Sequence, residues 1–249
     1  MKPFTVRLTV YGDLDFFLPS TKRGGAVERQ LSEKTSVKDV IESCGIPHPE
    51  IDVILVNGKA VDFAYALTAD AEIELYPPGI ESAQFQEKHL QVDTITKFVA
   101  DGHLGKLVRD LRLLGIDVAY DPAAEDRQLV TIASRENRAL LTRDRRLLMH
   151  AAVKHGYYPR SQNPLRQTIE VLRRFDLGSA LSAFSRCLRC GALLERAEKK
   201  KVIGQLEPLT KIYYDEFRRC TGCRQVYWSG SHFAKLQKRL EQIRANFAS

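Results

Sequence analysis

A chain of 249 residues, 44% apolar, is long enough for two domains with ordinary globular cores. It holds no uninterrupted apolar run near the roughly 18 to 20 residues that a membrane span needs, and Met1–Val10 alternates like a strand rather than forming an apolar leader, so a cytoplasmic location is expected. The net charge of +7 is unevenly divided: residues 1–90 carry nine Lys or Arg against fourteen Asp or Glu, and residues 91–249 carry 29 against 17. A basic surplus of that size attracts polyanions, nucleic acid above all, although composition does not separate RNA from DNA.

The first 80 residues predict a compact α+β unit. Phe4, Val6, Leu8 and Val10 alternate as in a half-buried strand, and Phe16, Phe17 and Leu18 are expected to form its hairpin partner. Thr21–Gly25 reads as a loop. Thr35 and Ser36 cap a helix with Val37, Val40 and Ile41 on one face, stopped by Gly45, Pro47 and Pro49. A strand over Val53–Val56 turns at Asn57-Gly58, and Ile73–Tyr76 closes the unit at Pro77-Pro78. This order is that of a ubiquitin-like β-grasp fold. The run Thr35–Pro78 also resembles the small sulfur-carrier proteins of thiamine and molybdopterin synthesis. Those carriers end in a free Gly-Gly tail, whereas this chain continues for 169 residues past Ile80, which argues for a binding or positioning module.

Residues 81–93 read as a polar connector. From residue 95, strand-like and helix-like segments alternate, the pattern of a largely parallel sheet flanked by helices. The expected elements are a strand at Ile95–Ala100, a helix with Leu104, Leu107, Val108, Leu111 and Leu114 on one face, a short strand at Asp117–Tyr120, a helix from about Glu125 to Asn137, a buried strand at Ala139–Thr142, a helix over Arg145–His155, and a helix over Leu165–Phe175 capped by Asn163.

Asp101 and Asp144 each stand just past the C-terminal end of a predicted strand, the edge where open parallel sheets collect ligands. Glu125 and Asp126, at the start of the intervening helix, are placed to point at the same crevice. Clustered carboxylates raise one another's pKa unless a cation neutralises them, and Mg²⁺ or Mn²⁺ suits all-oxygen ligands. Each acid also has a structural reading: Glu125 and Asp126 complement a helix N-terminus, Asp144 caps the next helix, and Asp121, before Pro122, is a turn residue. Arg143, Arg145 and Arg146 flank Asp144, and Arg109, Arg112 and Lys199–Lys201 extend the basic surface expected to meet a phosphate backbone. Tyr157, Tyr158, Tyr227 and Trp228 are candidates for stacking on bases, with core packing the preferred reading for Tyr227 and Trp228.

Cys187-Leu-Arg-Cys190 and Cys220-Thr-Gly-Cys223 form two C-x-x-C knuckles with 29 residues between them. Four thiolates close a tetrahedral zinc sphere and leave no position for water, so the site is expected to be a structural staple. Cys44 lies far away and reads as a small buried residue.

Phe98-Val-Ala-Asp-Gly-His-Leu-Gly-Lys-Leu107, Leu111-Arg-Leu-Leu-Gly-Ile-Asp117, Leu140-Leu-Thr-Arg-Asp144, Ser185-Arg-Cys-Leu-Arg-Cys190 and Cys220 through His232 together resemble the Mut-seven C-terminal RNase family. That family has a PIN-like nuclease core with a zinc ribbon, and some members carry an N-terminal ubiquitin-like domain. The resemblance implies a ubiquitin-like β-grasp domain (1–80), a connector (81–93), an α/β PIN-like core with a mainly parallel sheet (94–178), and a zinc ribbon with a C-terminal helix (179–249). It also implies a metal-dependent ribonuclease acting on single-stranded RNA. Asp101, Asp126 and Asp144 match its catalytic Mg²⁺ or Mn²⁺ ligands, Glu125 or Asp121 is the candidate fourth acid, and Thr142, Arg143, Arg145 and Arg146 support substrate binding. Zinc is expected on Cys187, Cys190, Cys220 and Cys223. The alternative is a non-catalytic RNA-binding or adaptor protein whose ubiquitin-like domain docks a protein partner.

Overall fold

The computed structural model describes residues 2–79, 85, 89–91 and 94–248, which leaves most of the connector expected at 81–93 outside the described residues. The chain divides into two units, Met1–Thr94 with Thr142–Tyr158, and Ile95–Leu141 with Pro159–Ser249. Among the described residues no helix is long and apolar enough to cross a membrane.

In the first unit, strand β1 (Phe4–Val10) sends Phe4, Val6 and Leu8 into the core and pairs antiparallel with β2 (Val27–Leu31). A two-residue strand β3 (Thr35–Ser36) leads into helix α1 (Val37–Ser43). Ser36 caps α1 by accepting the Asp39 N–H at 3.1 Å, and Val37, Val40 and Ile41 are buried. Strands β4 (Val53–Val56) and β5 (Lys59–Val61) form the hairpin expected at Asn57-Gly58, where both turn residues have positive φ, 50° and 75°. A short β6 (Ala66–Leu67) pairs with β3, and β7 (Ala71–Tyr76) lies parallel to β1 and antiparallel to β4. The sheet order β2-β1-β7-β4-β5, with one helix packed on it, is a ubiquitin-like arrangement. Cys44 is buried in its core.

The expected hairpin strand at Phe16–Leu18 does not form. Gly12–Phe17 is a 3-10 helix, and β2 takes the place beside β1. The reason is spacing: Leu14 and Phe17, three residues apart, share one face of a 3-10 turn and are both buried.

In the second unit, β8 (Lys97–Ala100) runs into helix α2 (Gly105–Leu113), followed by β9 (Asp117–Ala119), helix α3 (Asp126–Glu136) and β10 (Ala139–Leu141). β8 lies between β9 and β10 and is parallel to both, the parallel sheet that the alternating pattern predicted. All three residues of β10 are buried, as befits a strand covered on both faces.

The segment 142–158 belongs to the first unit. Its helix α4 covers Arg145–Leu148 rather than the expected Arg145–His155, and β11 is Gly156–Tyr157. The chain leaves the helix early because Val153 is buried and its carbonyl accepts from His48 Nε2 at 2.7 Å. Arg145 Nη1 donates to the Phe17 carbonyl at 2.8 Å, and Glu50 Oε1 accepts the Tyr158 N–H at 2.6 Å. Tyr158 packs its ring against Phe16 and Phe17, and Tyr157 is buried, so neither is an open stacking platform.

The second unit resumes with α5 (Pro164–Arg174), capped by Asn163 as expected and packed against α2. The ribbon follows: β12 (Leu194–Ala197), helices α6 (Lys199–Val202) and α7 (Pro208–Tyr213), then β13 (Phe217–Cys220) and β14 (Val226–Tyr227). The strands form an antiparallel sheet in the order β12-β13-β14. The terminal helix α8 (Ser231–Ala248) packs on α5, and its Arg239 forms an ion pair with the buried Asp110 of α2.

Candidate metal centre and acidic edge

The Sγ atoms of Cys187, Cys190, Cys220 and Cys223 all lie within 4.8 Å of one another, with Cys190–Cys220 at 3.3 Å and Cys187–Cys223 at 3.6 Å. Thiolates at 2.3 Å around a tetrahedral zinc are roughly 3.8 Å apart, so the donor set fits that ion, and all four cysteines are free of disulfides.

The two knuckles are built alike. Cys187 N–H donates to the Ala192 carbonyl at 2.8 Å, and Cys220 N–H to the Gln225 carbonyl at 2.9 Å, the same five-residue step. The fourth residue after each first cysteine, Gly191 or Arg224, has positive φ, 83° and 64°. Backbone N–H groups of Arg189 and Cys190 point at Cys187, and those of Gly222 and Cys223 at Cys220. Such donors stabilise thiolates. The Tyr227 hydroxyl lies 3.1 Å from Cys187 Sγ.

Without metal the four thiols separate. Burial pushes Cys190 up, but the Ala192 N–H and the Cys220 thiol bring it down to about 6, while burial and Cys190 push Cys220 up to about 12. Cys187 is held down despite its burial by Tyr227 and backbone N–H groups, and burial raises Cys223.

Arg112 corrects the expectation of a surface cation. It is 1% exposed. Its Nη1 donates to the carbonyls of Arg189 at 2.9 Å and Leu188 at 3.4 Å, and Nη2 and Nε donate to Val118 at 2.9 and 3.3 Å. Helical position alone gives no warning of this, because α2 buries Asp110 and Arg112 along with its apolar residues.

At the other end of the sheet, Asp101 follows β8, half-buried, with His103 Nδ1 3.2 Å from its Oδ2. Its N–H donates to the Leu141 carbonyl at 3.0 Å, which sets the ends of β8 and β10 level. Tyr120 donates through its hydroxyl to the Gly102 carbonyl at 2.7 Å, and a Cβ on Gly102 would come within 2.6 Å of the Pro122 carbonyl oxygen. The loop that leads to α3 therefore packs directly on the residue after Asp101. Asp126 is exposed in the first turn of α3.

Several acids have structural duties. Glu125 forms a capping box with Gln128, whose Oε1 accepts the Glu125 N–H at 2.9 Å. Asp121 Oδ1 accepts the Ala123 N–H at 3.0 Å in a turn. Asp144 Oδ1 accepts the N–H groups of Arg146 at 2.7 Å and Leu147 at 3.2 Å, and the buried Thr142 hydroxyl accepts the Asp144 N–H at 3.0 Å. Arg143 lies over the Tyr158 ring, Arg145 is committed to Phe17, and Arg146 is exposed.

A family model described as the Mut7-C RNAse domain matches residues 96–240, and one described as Mut7-C ubiquitin matches residues 4–83. A search of curated proteins finds no match to the chain. With a ubiquitin-like unit ahead of a parallel α/β sheet and a four-cysteine ribbon, the chain belongs to the Mut7-C RNase family.

Proposed function

We propose that the chain hydrolyses RNA phosphodiester bonds on a PIN-like core, with Mg²⁺ or Mn²⁺ held by Asp101, Asp126 and Asp144, and that single-stranded RNA is its substrate class. Membership of an RNase family supports the nuclease reading. The observation that supports this reading is the hydrogen bond from Asp101 N–H to the Leu141 carbonyl, which sets the ends of β8 and β10 level. Asp144 follows Leu141 by three residues, a stretch of chain no longer than about 11 Å. The packing of Gly102 on the Pro122 loop supports the approach of Asp126 to the same edge. The domain partition that goes with this reading is 1–80 ubiquitin-like, 81–93 connector, 94–178 nuclease core and 179–249 ribbon with terminal helix.

Three carboxylates are the hard oxygen donors that such an ion prefers. When bound, it supplies charge neutralisation at the scissile phosphate and a lower pKa for the attacking water. The chain's own residues position the donors. His103 orients the Asp101 carboxylate, two backbone N–H groups fix the Asp144 rotamer, and the Thr142 hydroxyl holds the Asp144 backbone N–H. Arg146, exposed beside Asp144, offsets the acids for an approaching phosphate backbone.

The second reading, a non-catalytic RNA-binding or adaptor protein with a protein partner on the ubiquitin-like domain, is favoured by the capping roles of Asp144 and Glu125. Cleavage of an end-labelled single-stranded RNA by the zinc-loaded protein, with and without Mn²⁺, separates the two. Asp144→Asn is the informative variant because asparagine caps a helix as well as aspartate does. We expect it to keep the fold and lose on the order of 10²-fold in cleavage rate. Parental cleavage by this variant would remove Asp144 from the site, and a parent inert with either metal would favour the adaptor.

A further inference from the structure

The ribbon sheet has two different faces. Phe217 and Val226 point to one side and form, with Val202 and Leu206, the ribbon's own core. On the other side Arg196, Arg218 and Tyr227 stand in register across β12, β13 and β14. Like charges directly opposite one another on antiparallel strands are destabilising. Both arginines are exposed, and among the described residues neither is in an ion pair. The neighbouring lysines are treated differently: Lys199 is paired with Asp215, and Lys200 and Lys201 with Glu198.

This face opens onto a groove of about 1020 Å³ whose lining also includes Arg109, Arg189 and one acid, Glu216. Its apolar wall holds Phe184 and Phe233, both half-buried, while Trp228 at its margin packs against the ribbon's own core. Phe184 sits at φ 60°, a left-handed conformation that a bulky side chain rarely adopts, and its ring meets that of Phe233 at 4.7 Å between centroids. Arg218 Nη1 donates to the Phe184 carbonyl at 3.0 Å, which ties the charged row to the aromatic wall.

We propose that this groove binds a single-stranded RNA segment, with phosphates against Arg196, Arg218 and Arg189 and unpaired bases on Phe184 and Phe233. The choice of RNA rests on the ribonuclease reading; the groove's charge and rings stand without it. Cations that track a backbone, interleaved with aromatic faces, are what single strands bind. A duplex keeps its base faces stacked and leaves the rings unused, and an acidic peptide satisfies the arginines alone.

The test is binding of a fluorescein-labelled twelve-nucleotide single-stranded RNA to the zinc-loaded full chain, by anisotropy without added Mg²⁺ or Mn²⁺, across a salt series. Arg196→Gln with Arg218→Gln should weaken binding about tenfold and lower the salt slope by about 1.4, the value for two lost phosphate contacts on a single strand. Lys200→Gln with Lys201→Gln should change neither. If the double arginine variant loses its zinc, photo-crosslinking of 4-thiouridine RNA to the parent decides, with adducts expected on peptides spanning 184–196 or 216–236. Unchanged binding by the zinc-loaded arginine variant, crosslinks confined to other peptides, or equal affinity for a polyglutamate peptide would overturn the proposal. Binding is read without cleavage, so a failure here leaves the Asp144→Asn result standing, and a failure there leaves the groove standing.

Discussion

Arg112 Nη1 donates to the carbonyl oxygen of Arg189 at 2.9 Å, from a guanidinium that is 1% exposed. The bond joins α2 to the first cysteine knuckle. Burial lowers the pKa of Arg112, and the charges of Cys190 and Cys187 push it back up. Four thiolates around zinc carry a net charge of about −2, so the buried cation stands where a counter-charge is needed. Glycine suits position 191 beside it, where φ is 83° and a Cβ would lie 3.0 Å from Arg112 Nε, a tight contact.

Replacing Arg112 should loosen the ribbon from the sheet. Arg112→Met takes the guanidinium donors from the buried Val118 carbonyl and the part-buried Leu188 and Arg189 carbonyls, and we expect a loss of about 3 kcal/mol in thermal or denaturant unfolding. Arg112→Lys restores charge but not the two-sided fork, and should recover less than half of that. Both variants should release zinc faster to a chelator; release at the parental rate would separate the arginine from the metal.

Removing zinc should loosen β12–β14 and speed their amide exchange while leaving exchange in the ubiquitin-like unit unchanged. In chelated protein that keeps its ribbon, Cys190 at about 6 is a thiolate at neutral pH and should alkylate first, whereas Cys220 at about 12 stays protonated. Lowering the pH through 6 should abolish the selectivity. The sign for stability follows: the depressed Cys190 contributes fully above its unfolded pKa near 9 and loses that contribution as pH falls through about 6. Peptide mapping that finds Cys220 modified first would contradict this order.

Arg224 occupies the left-handed position that Gly191 fills in the other knuckle. A non-glycine residue there costs about 1 kcal/mol, and the Arg224 side chain is exposed. Arg224→Gly should therefore stabilise the zinc-loaded ribbon by about that amount, read as a raised unfolding midpoint.

His48 bonds Glu42 through Nδ1 and the Val153 carbonyl through Nε2, both at 2.7 Å. The ubiquitin-like fold thereby holds the segment that carries Asp144. His48→Ala should cost about 1–2 kcal/mol and speed amide exchange in peptides covering 145–158. Unchanged exchange there would mean that Arg145 and Glu50 suffice to hold the segment.

The cysteine knuckles, the Asn57-Gly58 hairpin and the parallel strands of the second unit are legible in the sequence for local reasons. C-x-x-C spacing fixes a turn, Asn57-Gly58 fixes a hairpin, and strands covered on both faces read as the apolar runs at Phe98–Ala100 and Ala139–Leu141. The apolar triplet Phe16–Leu18 fits a strand as well as a 3-10 turn, and only the burial of Leu14 with Phe17 decides between them. The fate of each charged group was beyond the sequence. Arg112, Arg145 and Arg146 look alike as letters, yet one is buried against a knuckle, one is spent on the Phe17 carbonyl and one faces solvent. Local patterning determines which elements form, because it acts between near neighbours. Which cation meets a thiolate, a carbonyl or a phosphate depends on groups 70 or more residues away, such as Arg189 for Arg112, and that is set only when the chain has packed.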